Sequence, residues 1–218
     1  MSSELLPHPR ERTPRGDHVP RPNVEEARNP WVTTSHRTAY ENPWITVHHN
    51  DVLDPTGRPG VYGVVRPKNL ALGVLPIHDD GTTVLVGQFR YAFGAYSWEM
   101  PEGGGDVAVD PLVSIARELR EETGVSASEW LPVCTIRLSN SISDELAHCW
   151  VAWGLTEGPS EPESTEELAV WRVPFSQLVA MVWGGEITDS MTVVTVAKVE
   201  AMRLRGELPA PLAILLGG

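Results

Sequence analysis

Between residues 111 and 123 the apolar side chains return at Leu112, Ile115, Ala116 and Leu119, the i, i+3, i+4, i+7 spacing of a helix with one face on a core. Asp110 stands where a side-chain oxygen can accept an orphan amide, and Pro111 has no amide to lose at the first helical position. Gly124 supplies a left-handed stop. Before this helix the period shortens. Trp44-Ile45-Thr46-Val47 and Gly60-Val61-Tyr62-Gly63-Val64-Val65 are β-rich runs joined by the turn Asp54-Pro55-Thr56-Gly57. Residues 69–77 and 82–89 read as two adjacent buried strands across the turn Asp79-Asp80-Gly81. After the helix, residues 131–138, 146–153 and 169–173 give three more strands. The end is helical. One helix covers residues 176–183 and stops at Gly184-Gly185. A second runs from about Asp189 to Arg205, with Met191, Val194, Ala197, Val199 and Met202 available to pack. Leu212, Ile214, Leu215 and Leu216 in the last ten residues predict a docked tail.

Composition narrows the class. A chain of 218 residues with 41% hydrophobic side chains holds one substantial core plus appendages. A net charge of −12 argues against a general nucleic-acid-binding surface, though not against a nucleotide substrate. No apolar run approaches the ~18 residues of a membrane span, and residues 1–30 lack the apolar stretch of a signal peptide. That segment is rich in Pro, Arg and Glu and is read as a flexible or draped tail, because it cannot bury enough surface to offset its ordering entropy. Cys134 and Cys149 lack metal-ligand spacing and are read as buried free thiols, in keeping with a reducing cytoplasm.

The candidate chemistry lies on the helix already described. Glu118, Glu121 and Glu122 are spaced i, i+3, i+4 and are expected away from the apolar stripe. Three carboxylates so close repel one another unless a cation sits among them. Taken alone they also fit a solvated acidic face. The surroundings separate the two readings: Arg117 and Arg120 alternate with the acids, and Gly103-Gly104-Gly105 leads in. Gly103 followed by Arg117-Glu118-Leu119-Arg120-Glu121-Glu122-Thr123-Gly124-Val125 resembles the signature of the Nudix hydrolases. The right half of that signature matches throughout and the spacing from Gly103 is correct. One element departs: Val109 stands where the signature has its first glutamate.

The resemblance implies an α/β fold, an α/β/α sandwich with a mixed sheet, and hydrolysis dependent on Mg²⁺ or Mn²⁺. It assigns metal binding to Glu118 and Glu122, an assisting role to Glu121 and a further ligand to the backbone carbonyl of Glu102. The chemistry agrees, since hard cations prefer carboxylate oxygens and keep waters that leave room for phosphates. In relatives the first glutamate braces the box arginine, so Asp106 or Asp110 is the candidate to brace Arg117 here.

The rest of the chain resembles the ADP-ribose and nucleoside-diphosphate-sugar pyrophosphatases of that family. Residues 31–65 resemble their N-terminal strand extension, which commonly builds a homodimer and brings aromatic side chains to the base. Trp31, Trp44 and Tyr62 are the candidates, with Tyr62 first. His48 and His49 alternate faces of one strand and are read as structural. Gln88-Phe89-Arg90 resembles the subgroup's Gln-aromatic-Arg, and Arg90 is suited to grip phosphate bidentately; Arg66 is a second candidate. Trp98-Glu99-Met100-Pro101-Glu102-Gly103 resembles the lead-in to the box, with Glu102 where a small residue is usual. Glu99 either orients metal-bound water or braces the loop. Residues 141–145 resemble a substrate-side loop. In relatives a glutamate of the later acidic loop is the catalytic base, and Glu166 aligns first, Glu163 second.

The expected organisation is a tail at 1–30, an extension at 31–65 and a Nudix domain at 66–218. The expected reaction is hydrolysis of a nucleoside diphosphate derivative, ADP-ribose leading, other sugar nucleotides or a dinucleotide following. A catalytically silent Nudix domain that senses such a nucleotide is the reading from another class, but it has no need for all three glutamates.

Overall fold

The computed structural model describes residues 28–160 and 168–217. Three strands come first: β1 (Val32–Glu41), β2 (Ile45–Leu53) and β3 (Pro59–Pro67). They form an antiparallel meander in the order β1-β2-β3. The β2–β3 turn is the expected one, with Asp54 Oδ1 accepting from the Thr56 and Arg58 amides at 2.8 and 3.0 Å. β1 had no alternation to announce it: all ten of its residues are exposed. The meander meets the 141–145 loop through β3. The Val65 amide donates to the Ile142 carbonyl at 2.8 Å, and Val65 bridges Ser143.

The remaining strands are β4 (Asn69–Pro76), β5 (Thr82–Arg90), β6 (Ala95–Glu99), β7 (Glu102–Asp106), β8 (Val125–Arg137), β9 (Leu146–Glu157) and β10 (Ala169–Pro174). They make a mixed sheet in the order β7-β4-β9-β8, with β4 and β9 parallel, and an antiparallel sheet β10-β5-β6. The helices are α1 (Pro111–Thr123), α2 (Phe175–Gly184), α3 (Ser190–Arg205) and α4 (Ala210–Leu215).

Alternation along β4 explains the layers. Leu72 and Val74 point to one face, where they pack with Ile115 and Leu119 of α1 and Val125 and Ala152. Leu75, and Ile77 just past the strand end, point to the other, where Leu178 and Val182 of α2, Met191, Val196 and Val199 of α3 and Leu212 of α4 cover them. The mixed sheet is therefore sandwiched between α1 and the C-terminal helices, as the resemblance implies. The tail docks through Leu212, which is fully buried.

Several expectations need correction. In α3 the buried residues are Met191, Thr192, Thr195, Val196 and Val199, while Val194 is 37% exposed. Met191 and Val199 pack as expected, but the stripe runs at 192, 195, 196, 199, so two threonines take core positions in place of Val194. β8 and β9 extend beyond the predicted strands, to residues 125–137 and 146–157. Cys134 and Cys149 are free, but only Cys149 is buried; they face each other as cross-strand partners. His49 Nε2 lies 3.3 Å from Asp51 Oδ1, which fits the structural reading. Residues 28–30 are exposed coil, and the rest of the expected tail lies outside the described residues. Among the described residues no helix is long and apolar enough to cross a membrane.

Candidate functional site

α1 carries the acids, and its ends are built as the sequence predicts. Asp110 Oδ1 accepts the Leu112 amide at 2.9 Å, and Gly124, at φ 72°, donates its amide to the Arg120 carbonyl. The position of Glu122 is the first surprise. It is only 5% exposed. It lies three residues past Leu119 and seven past Ile115, so it continues the core-facing stripe rather than sharing the outer face with Glu121. A buried carboxylate needs partners, and one is the Glu102 amide, which donates to Glu122 Oε2 at 3.2 Å.

β7 is made of Glu102-Gly103-Gly104-Gly105-Asp106, a poor strand sequence that pairing with β4 nevertheless holds extended. The glycine matters for contact. A Cβ on Gly103 would sit 2.7 Å from Glu118 Oε2 and would overlap the rest of that carboxyl group. Only glycine lets the Glu118 carboxylate lie against this strand, beside the turn that also meets Glu122.

The expected brace for Arg117 is not there. Asp106 Oδ1 accepts the Ala108 amide and Asp110 caps α1, so both are committed locally. Arg117 instead bonds Glu118 Oε1 and Glu121 Oε2, each at 2.6 Å. With Val109 in place of the first glutamate, the box arginine is oriented by the box itself.

Beside the box opens a cleft of about 290 Å³ lined by Gln88, Arg90, Glu102, Gly103, Gly104 and Met191 among others. Arg90, at the end of β5, presents its Nε to both oxygens of Glu99 at 3.0 Å, and its Nη2 bonds Glu99 as well. Glu99 is 3% exposed. The side-chain bonds from Glu99 raise the Arg90 pKa against the opposing effect of burial, so the guanidinium is firmly charged. Glu99 thus braces Arg90, a contact that neither of its two expected roles named. Larger clefts exist, including one of about 520 Å³ between α2, α3 and α4, but that one contains none of the box carboxylates.

The Glu102 side chain also enters the site. The residue is partly exposed, yet its carboxyl turns inward toward Thr192, Asp189 and Arg90. Burial first, and then the neighbouring Asp189, push it well above the usual carboxylate range.

The base-side candidates are spread wider. Tyr62 donates its hydroxyl to the Ser141 carbonyl at 3.0 Å, and its ring meets Trp31 edge-on at 5.5 Å. Arg66 pairs with Asp144 at 3.3 Å. Both therefore join β3 to the 141–145 loop. Trp44 is 69% exposed. Glu163 and Glu166 lie outside the described residues. The structure thus brings together Glu118, Glu121, Glu122, Glu102, Glu99 and Arg90. Sequence reasoning missed Thr192 and the inward Glu102 carboxyl. The signal for the first was a threonine on an apolar stripe; for the second, a glutamate where relatives have a small residue.

Among the described residues no three His, Cys, Asp or Glu side chains form a ready-made metal cage. The donor chemistry still fits a hard divalent ion, which needs only one or two carboxylates and completes its shell with water and substrate oxygens. The glycine cradle for Glu118 and the buried Glu122 supply those carboxylates on either side of one turn.

Comparison with known proteins identifies the family. Residues 67–190 match the NUDIX domain, and residues 29–65 match the nucleoside diphosphate sugar hydrolase N-terminal domain. The chain is 32% identical over 145 residues to an ADP-ribose pyrophosphatase of Mycobacterium tuberculosis, covering 65% of this chain and 70% of the relative. It is 28% identical over 144 residues to one of Bacillus subtilis, covering 65% of this chain and 77% of that protein. A solved structure described as an ADP compounds hydrolase shares the fold, with a TM-score of 0.72 over 82% of this chain and 97% of that one, at 20% identity. The chain belongs to the Nudix family and is one of its hydrolytic enzymes, with the N-terminal domain of the nucleoside diphosphate sugar hydrolases preceding its Nudix domain.

Proposed function

We propose that this enzyme hydrolyses ADP-ribose to AMP and ribose 5-phosphate, with Mg²⁺ held by Glu118, Glu122 and the backbone carbonyl of Glu102. The observation that carries the reading is the pairing of a buried Glu122 with a Glu118 carboxylate seated on Gly103, beside a cleft that Arg90 enters. The bound cation would supply charge neutralisation for a diphosphate and a water of lowered pKa. Water adds its oxygen to one phosphorus, the bond from that phosphorus to the bridging oxygen breaks, and the departing phosphate keeps the electron pair. The attacking water's proton goes to a carboxylate, assigned to Glu166 with Glu163 as the alternative. Arg90 meets phosphate charge with the guanidinium face not taken by Glu99. Glu121, held by Arg117, keeps the outer rim of the acid cluster in place.

The substrate assignment rests on the two relatives bearing that activity in their names and on the extension at residues 31–65. Tyr62 is the aromatic side chain assigned to the base, with Trp44 and Trp31 near the same extension. Stacking reads a flat ring with little regard to its edge. Other sugar nucleotides and dinucleotides are therefore the closest competitors. The extension is assigned a second task, dimerisation, because β1 is an edge strand exposed along its whole length. Two cysteines left as free thiols fit a cytoplasmic setting.

The test is a hydrolysis panel with Mg²⁺ containing ADP-ribose, other nucleoside diphosphate sugars, dinucleotides and nucleoside triphosphates. The expected result is the highest kcat/KM on ADP-ribose, with smaller discrimination among bases than between diphosphates and triphosphates. Preference for a triphosphate would move the protein to another branch of the family. No turnover on any member would favour the silent, nucleotide-sensing reading.

A further inference from the structure

We propose that Thr192, in the first turn of α3, is a positioning residue for the cation-binding turn at residues 100–102, an inference that rests on the metal assignment above. Besides the pairing of Glu102 with Gly73 in the sheet, three hydrogen bonds hold that turn. The Val74 amide donates to the Pro101 carbonyl at 3.0 Å, and the Glu102 amide donates to Glu122 at 3.2 Å. The third is different in kind. The Met100 amide donates at 2.9 Å to the hydroxyl of Thr192, a side chain 92 residues further along the chain.

Thr192 is fully buried, at 0% exposure. A hydroxyl on a core-facing helical position needs a partner, because an unsatisfied one is costly there. In a helix the ordinary partner is a carbonyl one turn back. Thr192 instead serves the distant Met100 amide, and its own hydroxyl hydrogen faces Glu102 Oε1 at 3.4 Å. Its backbone is fixed in turn, since the Thr192 amide donates to Asp189 Oδ2 at 2.7 Å in the N-cap of α3. A connected path therefore runs from Asp189 through Thr192 to Met100 and on to Glu102 and Glu122.

The packing under this path is equally close. A Cβ on Gly73 of β4 would lie 2.9 Å from Met191 Cε and would also meet Met100. The start of α3 and the 100–102 turn thus share one footprint on the sheet, where the Met100 and Met191 side chains lie against Gly73. The consequence is that the Glu102 carbonyl and the Glu122 carboxylate are set in part by a helix outside the box. Such outer partners of metal ligands typically govern affinity by about 10–100-fold.

The experiment uses the full chain and Mn²⁺ alone as probe, with binding followed by electron paramagnetic resonance and folding by circular dichroism. Thr192→Val keeps the branched shape and removes the hydroxyl; Thr192→Ser keeps the hydroxyl. The expected result is Mn²⁺ affinity weakened by about tenfold or more in Thr192→Val and close to wild type in Thr192→Ser. If Thr192→Val does not fold, Thr192→Ala is measured instead, since it leaves space to hydrate the Met100 amide, and the same loss is expected. Wild-type affinity in the folded hydroxyl-free variant would overturn the positioning role and leave the metal assignment standing. Equal losses in Thr192→Ser and Thr192→Val would overturn it too, because the hydroxyl would not then be the operative group. Failure of the wild-type protein to bind Mn²⁺ would overturn the metal assignment, and this inference with it.

Discussion

The two ends of the candidate site are built on opposite plans. At the acid end, Glu122 is buried, Glu118 lies where a Cβ on Gly103 would displace it, and the intervening turn is held from β4, α1 and α3. At the base end, Tyr62 and Arg66 reach the 141–145 loop by one polar contact each, and β1 is exposed along its length. Under the proposed function the difference matches the work assigned to each end. Charge stabilisation in a phosphoryl-type reaction depends on groups that do not reorganise, so it belongs where packing over-determines position. Recognition of a flat base tolerates looser geometry and can be supplied from an appendage. Acid-end changes should therefore reduce turnover steeply, and base-end changes should act on binding more gently.

The steepest effect is expected for Glu122→Gln. It keeps shape and volume but removes a buried carboxylate beside the Glu102 amide. The loss should be at least ~2.7 kcal/mol of transition-state stabilisation, about a hundredfold in kcat, with near-unchanged circular dichroism. A folded variant within a few-fold of wild type would show that Glu122 is not a metal ligand, and the contrast between the two ends would lose its basis.

Much of the acid end can be read from residue order. The caps of α1 follow from Asp110, Pro111 and Gly124, and the burial of Glu122 is implied by its place seven residues after Ile115, a cue outweighed by its charge. What is not legible is contact between distant segments. Nothing local in Thr192 announces that it receives the Met100 amide, and Arg90 gives no sign that Glu99 will hold it. The expectation that Asp106 or Asp110 braces Arg117 failed because each satisfies an amide two residues away, a cheaper bond than one across the loop. β7 was invisible because three successive glycines carry no strand signal; only β4 beside it makes it a strand. β1 was invisible for the converse reason, having no core against which to alternate.

A gentler effect is expected at the base end. Tyr62→Ala removes a ring that the function assigns to stacking, a contribution of roughly 1–3 kcal/mol. KM for ADP-ribose should rise by about fivefold or more, with kcat changed less. An unchanged KM would remove Tyr62 from the site while leaving the acid end untouched.

The smallest effect on chemistry, and the most direct check on the open plan of the extension, concerns assembly. Light scattering at micromolar concentration should give twice the chain mass of 23.9 kDa. A monomer mass would mean that β1 is stable as a bare edge and that each site is complete within one chain.

The proposed function requires ADP-ribose cleavage to depend on a divalent cation at the box. The purified protein is stripped with excess chelator, assayed on ADP-ribose, then assayed again after Mg²⁺ is restored, with products separated by chromatography. The expected result is no cleavage in chelator and recovery of equal amounts of AMP and ribose 5-phosphate with Mg²⁺. Sustained turnover in excess chelator would contradict it.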